Sequence, residues 1–294
     1  MKLSDFSSDN QLVKEGEFVS LGYADSTFPH TLAFADSLKY VQLAISNPNV
    51  SCIITTPALV EAVPSSKGVL TSSSPRQAFY TIHEQFIKDG TYELPFDPGI
   101  GEGCDIHPSA IIGKNCRIGD NVKIGEFVVI RDNAWIGSNV TIEAGVKIGV
   151  EGILYSTEET SISLIPHAGY VRIHDGAILM TNSIVVRSVH PTDVTEIGSG
   201  ALIGLGSIIG HEAKVGDLTI VSNQCVIARR AKTGRKVFVG TNSTIKEHID
   251  IGDQAKIMAG SIVINDVAPN ASVSGNFASN HKRRLLDFVR NKSK

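Results

Sequence analysis

An aliphatic residue returns at every sixth position from Ile106, through Ile112, Ile118, Ile124, Ile130, Ile136, Ile142 and Ile148. Gly usually follows it, with Ala, Cys or Val four places on. The phase breaks after Gly149 and resumes at Ile173. It then runs through Leu179, Val185, Pro191, Ile197, Ile203, Ile209, Val215, Val221, Ile227, Thr233, Val239, Ile245, Ile251, Ile257 and Val263, with Pro191 and Thr233 as the imperfect members. A period of six fits neither a heptad nor a simple α-helix. It fits short strands separated by tight turns and stacked as a parallel β-helix. In such a coil the aliphatic side chain fills the interior, Gly or a small polar residue turns the corner, and successive strands pair across about 4.8 Å. The off-phase stretch, 150–172, is predicted to leave the coil as a loop, and loops that interrupt a solenoid usually line its binding face.

Residues 1–100 lack the hexad and read as a small α/β domain. Strands are predicted at 50–55 and 68–71, and helices at 37–46, capped by Asp36 or Ser37, and at 75–87. The Pro- and Gly-rich segment ELPFDPGIGEG links this domain to the coil of 101–276. Residues 277–294 form a short basic tail, HKRRLLDFVRNKSK at its end, suited either to an anionic partner or to a solvated terminal helix.

With 42% hydrophobic residues the chain can bury a real core, and its net charge of −3 with scattered lysines and arginines argues against a nucleic-acid surface. The N-terminus has no apolar leader, and no run reaches the roughly 18 apolar residues of a membrane span, so a cytoplasmic protein is expected. Cys52, Cys104, Cys116 and Cys225 show no CxxC spacing and no paired histidine cluster, which points to neither a zinc site nor a disulfide framework. Cys116 and Cys225 fall on the small-residue position of the hexad and read as buried core thiols.

Two histidines stand out. His211 lies in IIGHEAKVGD, two places after a core Ile, and His248 follows 37 residues later in STIKEHIDIGD. Near the N-terminus, LAFADSLKY sets Phe34 and Tyr40 six apart around a strand-to-helix turn, which on the residues alone reads as a pair of core rings. His30, His83, His167 and His174 match no recognisable pattern.

The hexads, the two histidines with their interval, the aromatic pair and the loop entry GVEGILY together resemble the UDP-3-O-acylglucosamine N-acyltransferases of lipid A synthesis, within the hexapeptide-repeat acyltransferase superfamily. The family's loop entry reads GADGFGY. The resemblance implies a mainly β fold: a left-handed parallel β-helix with three hexads, or 18 residues, per coil, behind a small N-terminal α/β domain. It also implies a homotrimer with active sites in the clefts between prisms. The expected activity is transfer of an acyl group from a thioester to the amine of a nucleotide-linked amino sugar, for surface-glycan or lipopolysaccharide synthesis. The donor would be acyl-CoA or an acyl carrier protein, with no bound cofactor and no metal. Phe34 and Tyr40 would hold the nucleotide, His211 would be the base, and His248 would touch substrate or be an ordinary surface histidine. Imidazole titrates near neutral pH and can take the amine's proton as the bond forms, so no covalent enzyme intermediate is needed.

The chain departs from the family in three places. Ser37 stands where the family has an Asn after the first aromatic. Arg229 stands 18 residues beyond His211, where the family's Gly N–H stabilises the oxyanion; the Arg229 N–H could still serve, with a side chain that narrows the approach. Together with a C-terminal segment shorter than the family's, Arg229 favours a short acyl group on coenzyme A. Gly204 replaces the Asp that orients the base. The 18-residue register then nominates Asp193, one coil beneath His211, as the orienting carboxylate, with Glu212 as the alternative disfavoured by strand alternation. Other readings are O-acylation of a sugar hydroxyl, a non-catalytic scaffold, or a zinc enzyme on the same fold. The zinc enzyme needs two histidines five apart, where this chain has His211 and Gly216.

Overall fold

The computed structural model describes residues 1–7, 10–157 and 160–275. From Gly99–Ile100 onward, strands mostly two residues long build three parallel sheets of nine, eight and eight strands, wrapped as the sides of a triangular prism. The expected mainly β coil of hexads is therefore present. Each strand pairs with its counterpart one coil on, as Ile124 with Ile142 and Ile130 with Ile148. The aliphatic hexad residues point inward and form one continuous core with Val122, Val140, Ala177, Ala213 and Cys225, nearly all without solvent contact. Cys116 and Cys225 lie in this core as free thiols, as their repeat position predicted, and burial pushes both thiol pKa values up.

The 18-residue register is interrupted twice. Ile136 pairs with Ile173, so the chain leaves the prism between Val150 and Tyr170 and returns through a small hairpin of Tyr155–Thr157 and Ile162–Leu164. In the next coil Ile173 pairs with Ile197 and Val185 with Ile209, each 24 residues apart. Pro191 is therefore no member of the hexad. It lies in a second, shorter excursion, 187–193, that the unbroken arithmetic of the sequence concealed. Both excursions leave from the same side of the prism, after Lys147–Val150 and Ile184–Val186, which pair with each other. The strand above them is Ile208–Ile209, and the corner after it carries His211.

In the N-terminal domain a five-stranded sheet holds Ser20–Leu21, Thr31–Ala35, Val50–Thr55 and Gly68–Thr71 in parallel, with Gln11–Lys14 antiparallel at one edge. Helix α1, Leu38–Ser46, starts after Ser37 and buries Val41 and Ala44 against Ala33, Ala35 and Ile53. Helix α2, Pro75–Asp89, has proline in its first turn and stops at Gly90, whose φ of 66° gives the left-handed turn that ends a helix. Its Phe79, Ile82 and Phe86 share one apolar cluster with Leu154, Ile165 and Val189 of the two excursions. The domain is thereby fixed onto the loops by buried surface. Among the described residues no helix is long and apolar enough to cross a membrane.

The coil core tolerates little loss of volume. Ile203 is fully buried at the level of the second excursion. Replacing it with Ala should cost about 2 to 5 kcal/mol, read as a lowered midpoint in urea unfolding.

Candidate active site at the loop-covered corner

After Ile208–Ile209 the chain turns through Gly210, His211 and Glu212 before entering Lys214–Val215. Glu212 adopts φ 59°, the left-handed conformation that Asn or Gly supplies at most other corners of this coil. The turn directs both side chains to the same side. His211 Nδ1 lies 3.1 Å from Glu212 Oε2, with side-chain exposures of 6% and 1%. The other carboxylate oxygen accepts the Val189 N–H at 2.9 Å, and the Glu212 N–H donates to Thr195 Oγ1 at 2.7 Å. Burial alone would raise the Glu212 pKa. The hydrogen bond and charge of His211, the Val189 N–H and the charge of Arg230 outweigh it and hold the carboxyl below its usual range. The carboxylate therefore fixes the Nδ1–H tautomer of His211. Nε2 is left as the basic nitrogen, with no partner among the described residues.

The carboxylate in contact with His211 is thus Glu212, and the expectation that Asp193 would make this contact is corrected. Strand alternation, which disfavoured Glu212, does not apply to a turn. Asp193 does fall one coil beneath His211 in register, but its Oδ1 accepts its neighbour's N–H, from Val194, at 2.9 Å. Burial, reinforced by the charge of Glu212, raises its pKa to about 6.

Arg229 occupies the corner one coil above His211, and Arg230 N–H donates to His211 O at 3.0 Å. At several other corners, though not at all, the N–H after the turning residue is capped one coil on, as Lys114 by Asp132, Ser199 by Asp217 and Arg235 by Asp253. The Arg229 N–H has no such cap and no acceptor among the described residues, so it is free to meet an oxyanion. Its side chain is exposed. His248 turns the corner one coil higher still, with φ 59° like Glu212 and Arg230 beneath it. It is exposed, and its pKa is lowered by partial burial and by the charges of Arg230 and Arg229. Arg230 pairs with Asp25 and stacks 4.9 Å above the Tyr23 ring, tying the N-terminal domain to this column.

Phe34 packs against Phe79 and Tyr80 with ring centroids 5.1 and 6.1 Å away, while Tyr40 on α1 is 48% exposed. Phe34 is thus in part the core ring that was one of its two readings, and the two rings do not touch.

Three further histidines gather here that no spacing in the sequence revealed. The His167 ring lies 5.3 Å from that of His211 at 76°. His83 on α2 donates from Nε2 to Pro166 O at 2.8 Å, so its Nδ1 is bare; Tyr92 OH lies 2.6 Å and His190 Nδ1 3.1 Å from it. Burial lowers the pKa of His83 and of His167 to about 4, and takes that of His190 well below its ordinary value. All three are neutral at neutral pH. The signal that could have found His167 and His190 is their position in segments that leave the hexad. Among the described residues no group of histidine, cysteine or carboxylate is placed to hold a metal ion.

The family description "Bacterial transferase hexapeptide (six repeats)" matches residues 97–132, and "Hexapeptide repeat of succinyl-transferase" matches 127–151 and 232–264. No curated protein matches the chain. Among solved structures, a UDP-N-acetylglucosamine O-acyltransferase (LpxA) from Moraxella catarrhalis is 26% identical over 64% of this chain and 75% of that one, with a TM-score of 0.41. LpxA from Acinetobacter baumannii is 25% identical over 65% and 76%, with a TM-score of 0.39. An Arabidopsis UDP-N-acetylglucosamine acyltransferase is 23% identical over 59% and 70%, with a TM-score of 0.44.

The buried neutral histidines set an acid limit on stability. Well above pH 6.5 their contribution is fully present, because there neither the folded nor the unfolded chain protonates them. As pH falls toward 4 the unfolded chain takes up protons that the folded one refuses, and stability is lost. Glu212, depressed in the fold, adds to this loss below its ordinary pKa. Asp193, raised to about 6, has the opposite sign: its contribution is present at low pH and lost as pH rises through 6. With three histidines against one aspartate, the melting temperature should fall between pH 6.5 and 4; a flat profile in scanning fluorimetry contradicts this assignment.

Proposed function

We propose that this protein transfers an acyl group from a thioester to the amine of a nucleotide-linked amino sugar, with His211 as general base. The observation that carries the proposal is the buried His211–Glu212 pair, whose free Nε2 sits one coil below the uncapped N–H of Arg229. A thioester carbonyl between them meets a base on one side and an oxyanion donor on the other. The amine attacks, His211 Nε2 takes its proton, and the carbonyl oxygen gathers charge against the Arg229 N–H. When the intermediate collapses, the departing thiolate receives that proton. Phe34 and Tyr40 mark the side of the N-terminal domain on which the nucleotide would bind, with the Tyr40 ring half exposed and the Lys39 ammonium beside it. His248, at the upper end of the column, would meet the donor or a phosphate. Coenzyme A or an acyl carrier protein supplies the acyl group, and the repeat descriptions support transferase chemistry.

A second acceptor has an observation in its favour. A neutral amine can attack before losing its proton, whereas a hydroxyl must be deprotonated as it attacks and so demands a stronger base. The Glu212 carboxylate against His211 Nδ1 can hold the imidazolium formed in that step, an arrangement equally suited to O-acylation of a sugar hydroxyl on the same site.

The homotrimer belongs to the same proposal. Two sides of the prism carry outward aliphatic rows, Ile178, Leu202, Ile220 and Phe238 on one and Ile184, Ile208, Val226 and Ile262 on the next. The third carries Arg172, Glu196, Lys214, Lys232 and Asp250. The His211 corner joins an aliphatic side to the charged one, so a partner prism laid on the aliphatic side would wall the cleft. Cytoplasmic residence follows from a substrate built on a nucleotide and is part of the proposal.

Mass spectrometry of products from UDP- and dTDP-linked amino sugars, and from their hydroxyl counterparts, with acetyl-CoA or acyl carrier protein donors tests the reaction and separates the two acceptors. His211→Ala should lower kcat by about 10² to 10⁴. Glu212→Gln should approach that loss, and Asp193→Asn should fall well short of it; equal losses would return the orienting role to Asp193. Light scattering should give three times the 31.4 kDa chain mass, and Ile220→Asp with Phe238→Asp should lower it.

A further inference from the structure

His167 is 3% exposed, and both of its ring nitrogens are buried without a hydrogen-bond partner. A neutral imidazole has one N–H to donate and one lone pair to offer, and buried polar atoms are nearly always paired. The backbone on either side is firmly held. Pro166 O accepts from His83 on α2 at 2.8 Å, and the Ala168 N–H donates to Val189 O at 2.8 Å. Val189 is also the residue whose N–H grips Glu212. The placement of His167 is therefore set by the same loops that position the base.

Gly152 shows where the ring is aimed. A Cβ added there would lie 3.1 Å from His211 Cδ2, 3.5 Å from His167 Nε2 and 3.0 Å from Val186 Cγ1. Cδ2 adjoins Nε2 in the imidazole ring, so the working edge of His211 and the Nε2 edge of His167 converge over a residue that has no side chain. A single heavy atom at that point would be in contact with both rings.

We propose that His167 touches the acceptor's nucleophilic atom through a second hydrogen bond, opposite the His211 Nε2 that takes its proton. The inference rests on the acyl-transfer reading above. An acceptor amine gives one N–H to His211 and the other to the bare nitrogen of His167, which turns its lone pair toward the carbonyl carbon. The N–C bond forms as the carbonyl π pair moves to oxygen, and the first proton passes to His211. Collapse re-forms the carbonyl and breaks the C–S bond, and the thiolate takes the proton from His211, giving amide and thiol. With a hydroxyl acceptor the single proton goes to His211, and the His167 N–H donates to the oxygen.

The test compares wild-type full-length protein with His167→Ala and His167→Gln, using UDP- and dTDP-linked amino sugars with acetyl-CoA, and records the melting temperature of each. Gln keeps a donor and an acceptor but cannot relay a proton. His167→Ala should lower kcat/KM for the acceptor about 10- to 100-fold, the worth of one buried hydrogen bond, with the KM of the donor unchanged. His167→Gln should recover most of that loss, and the acid limb of the pH profile should stay in place because His211 still sets it. Wild-type acceptor kinetics in both variants overturn the inference and leave acyl transfer standing. A loss in both variants that falls equally on donor and acceptor also overturns it, since it marks a structural role. Absence of turnover by the wild-type protein overturns the acyl-transfer reading, and this inference with it.

Discussion

Every strand in the coil depends on the strand one turn away. A two-residue strand has too few hydrogen bonds to persist alone, so each exists only because the aliphatic residue between its corners lands on its counterpart in the neighbouring coil. That constraint makes the prism rigid and its corners equivalent. It also means that chain can be inserted only at a corner, with the strands before and after the insertion still paired. The two excursions obey this rule: Val150 and Val186 still pair side by side where both leave. The buried polar side chains His211, Glu212, His167 and His190 gather at the corner where the repeat gives way.

The electrostatics of that corner follow from how the loops cover it. One carboxylate is kept charged in the interior by an imidazole and a loop N–H, and the surrounding histidines are kept neutral by the same burial. A buried charge with all its partners in place is tolerable, while one that loses a partner is strongly unfavourable. Val189 is such a partner, so the second excursion is a structural support of the His211–Glu212 pair. Arg230, held between Asp25 and the Tyr23 ring, brings a compensating positive charge to the same place from the opposite direction.

Much of this was legible in the sequence. The hexad specified the coil because its interior admits one aliphatic residue per side. The strands Val50–Thr55 and Gly68–Thr71 matched their predicted ranges because both are nearly unbroken apolar runs. His211 could be placed because it holds a fixed position in a hexad. The errors share one cause, which is the use of a periodic rule where the backbone had left the period. Pro191 was counted as a hexad residue although it lies in an excursion, and Asp193 was preferred because alternation along a strand was applied to the turn that holds Glu212. His83, His167 and His190 had no register from which to be read. They meet only because a helix of the first domain packs on two loops of the second.

That docking decides when the corner can come into being during folding. The coil joins residues close in sequence and can grow turn by turn. The corner instead needs residues 25, 83, 167, 189, 212 and 230 in one place, across contacts as distant as Arg230 with Asp25. Its closure spans 205 residues of sequence, so its contacts are expected to form after the short-range pairing of the coil. By this measure the surroundings of His211 are expected to be the last part of the molecule to be completed, after the prism that carries them.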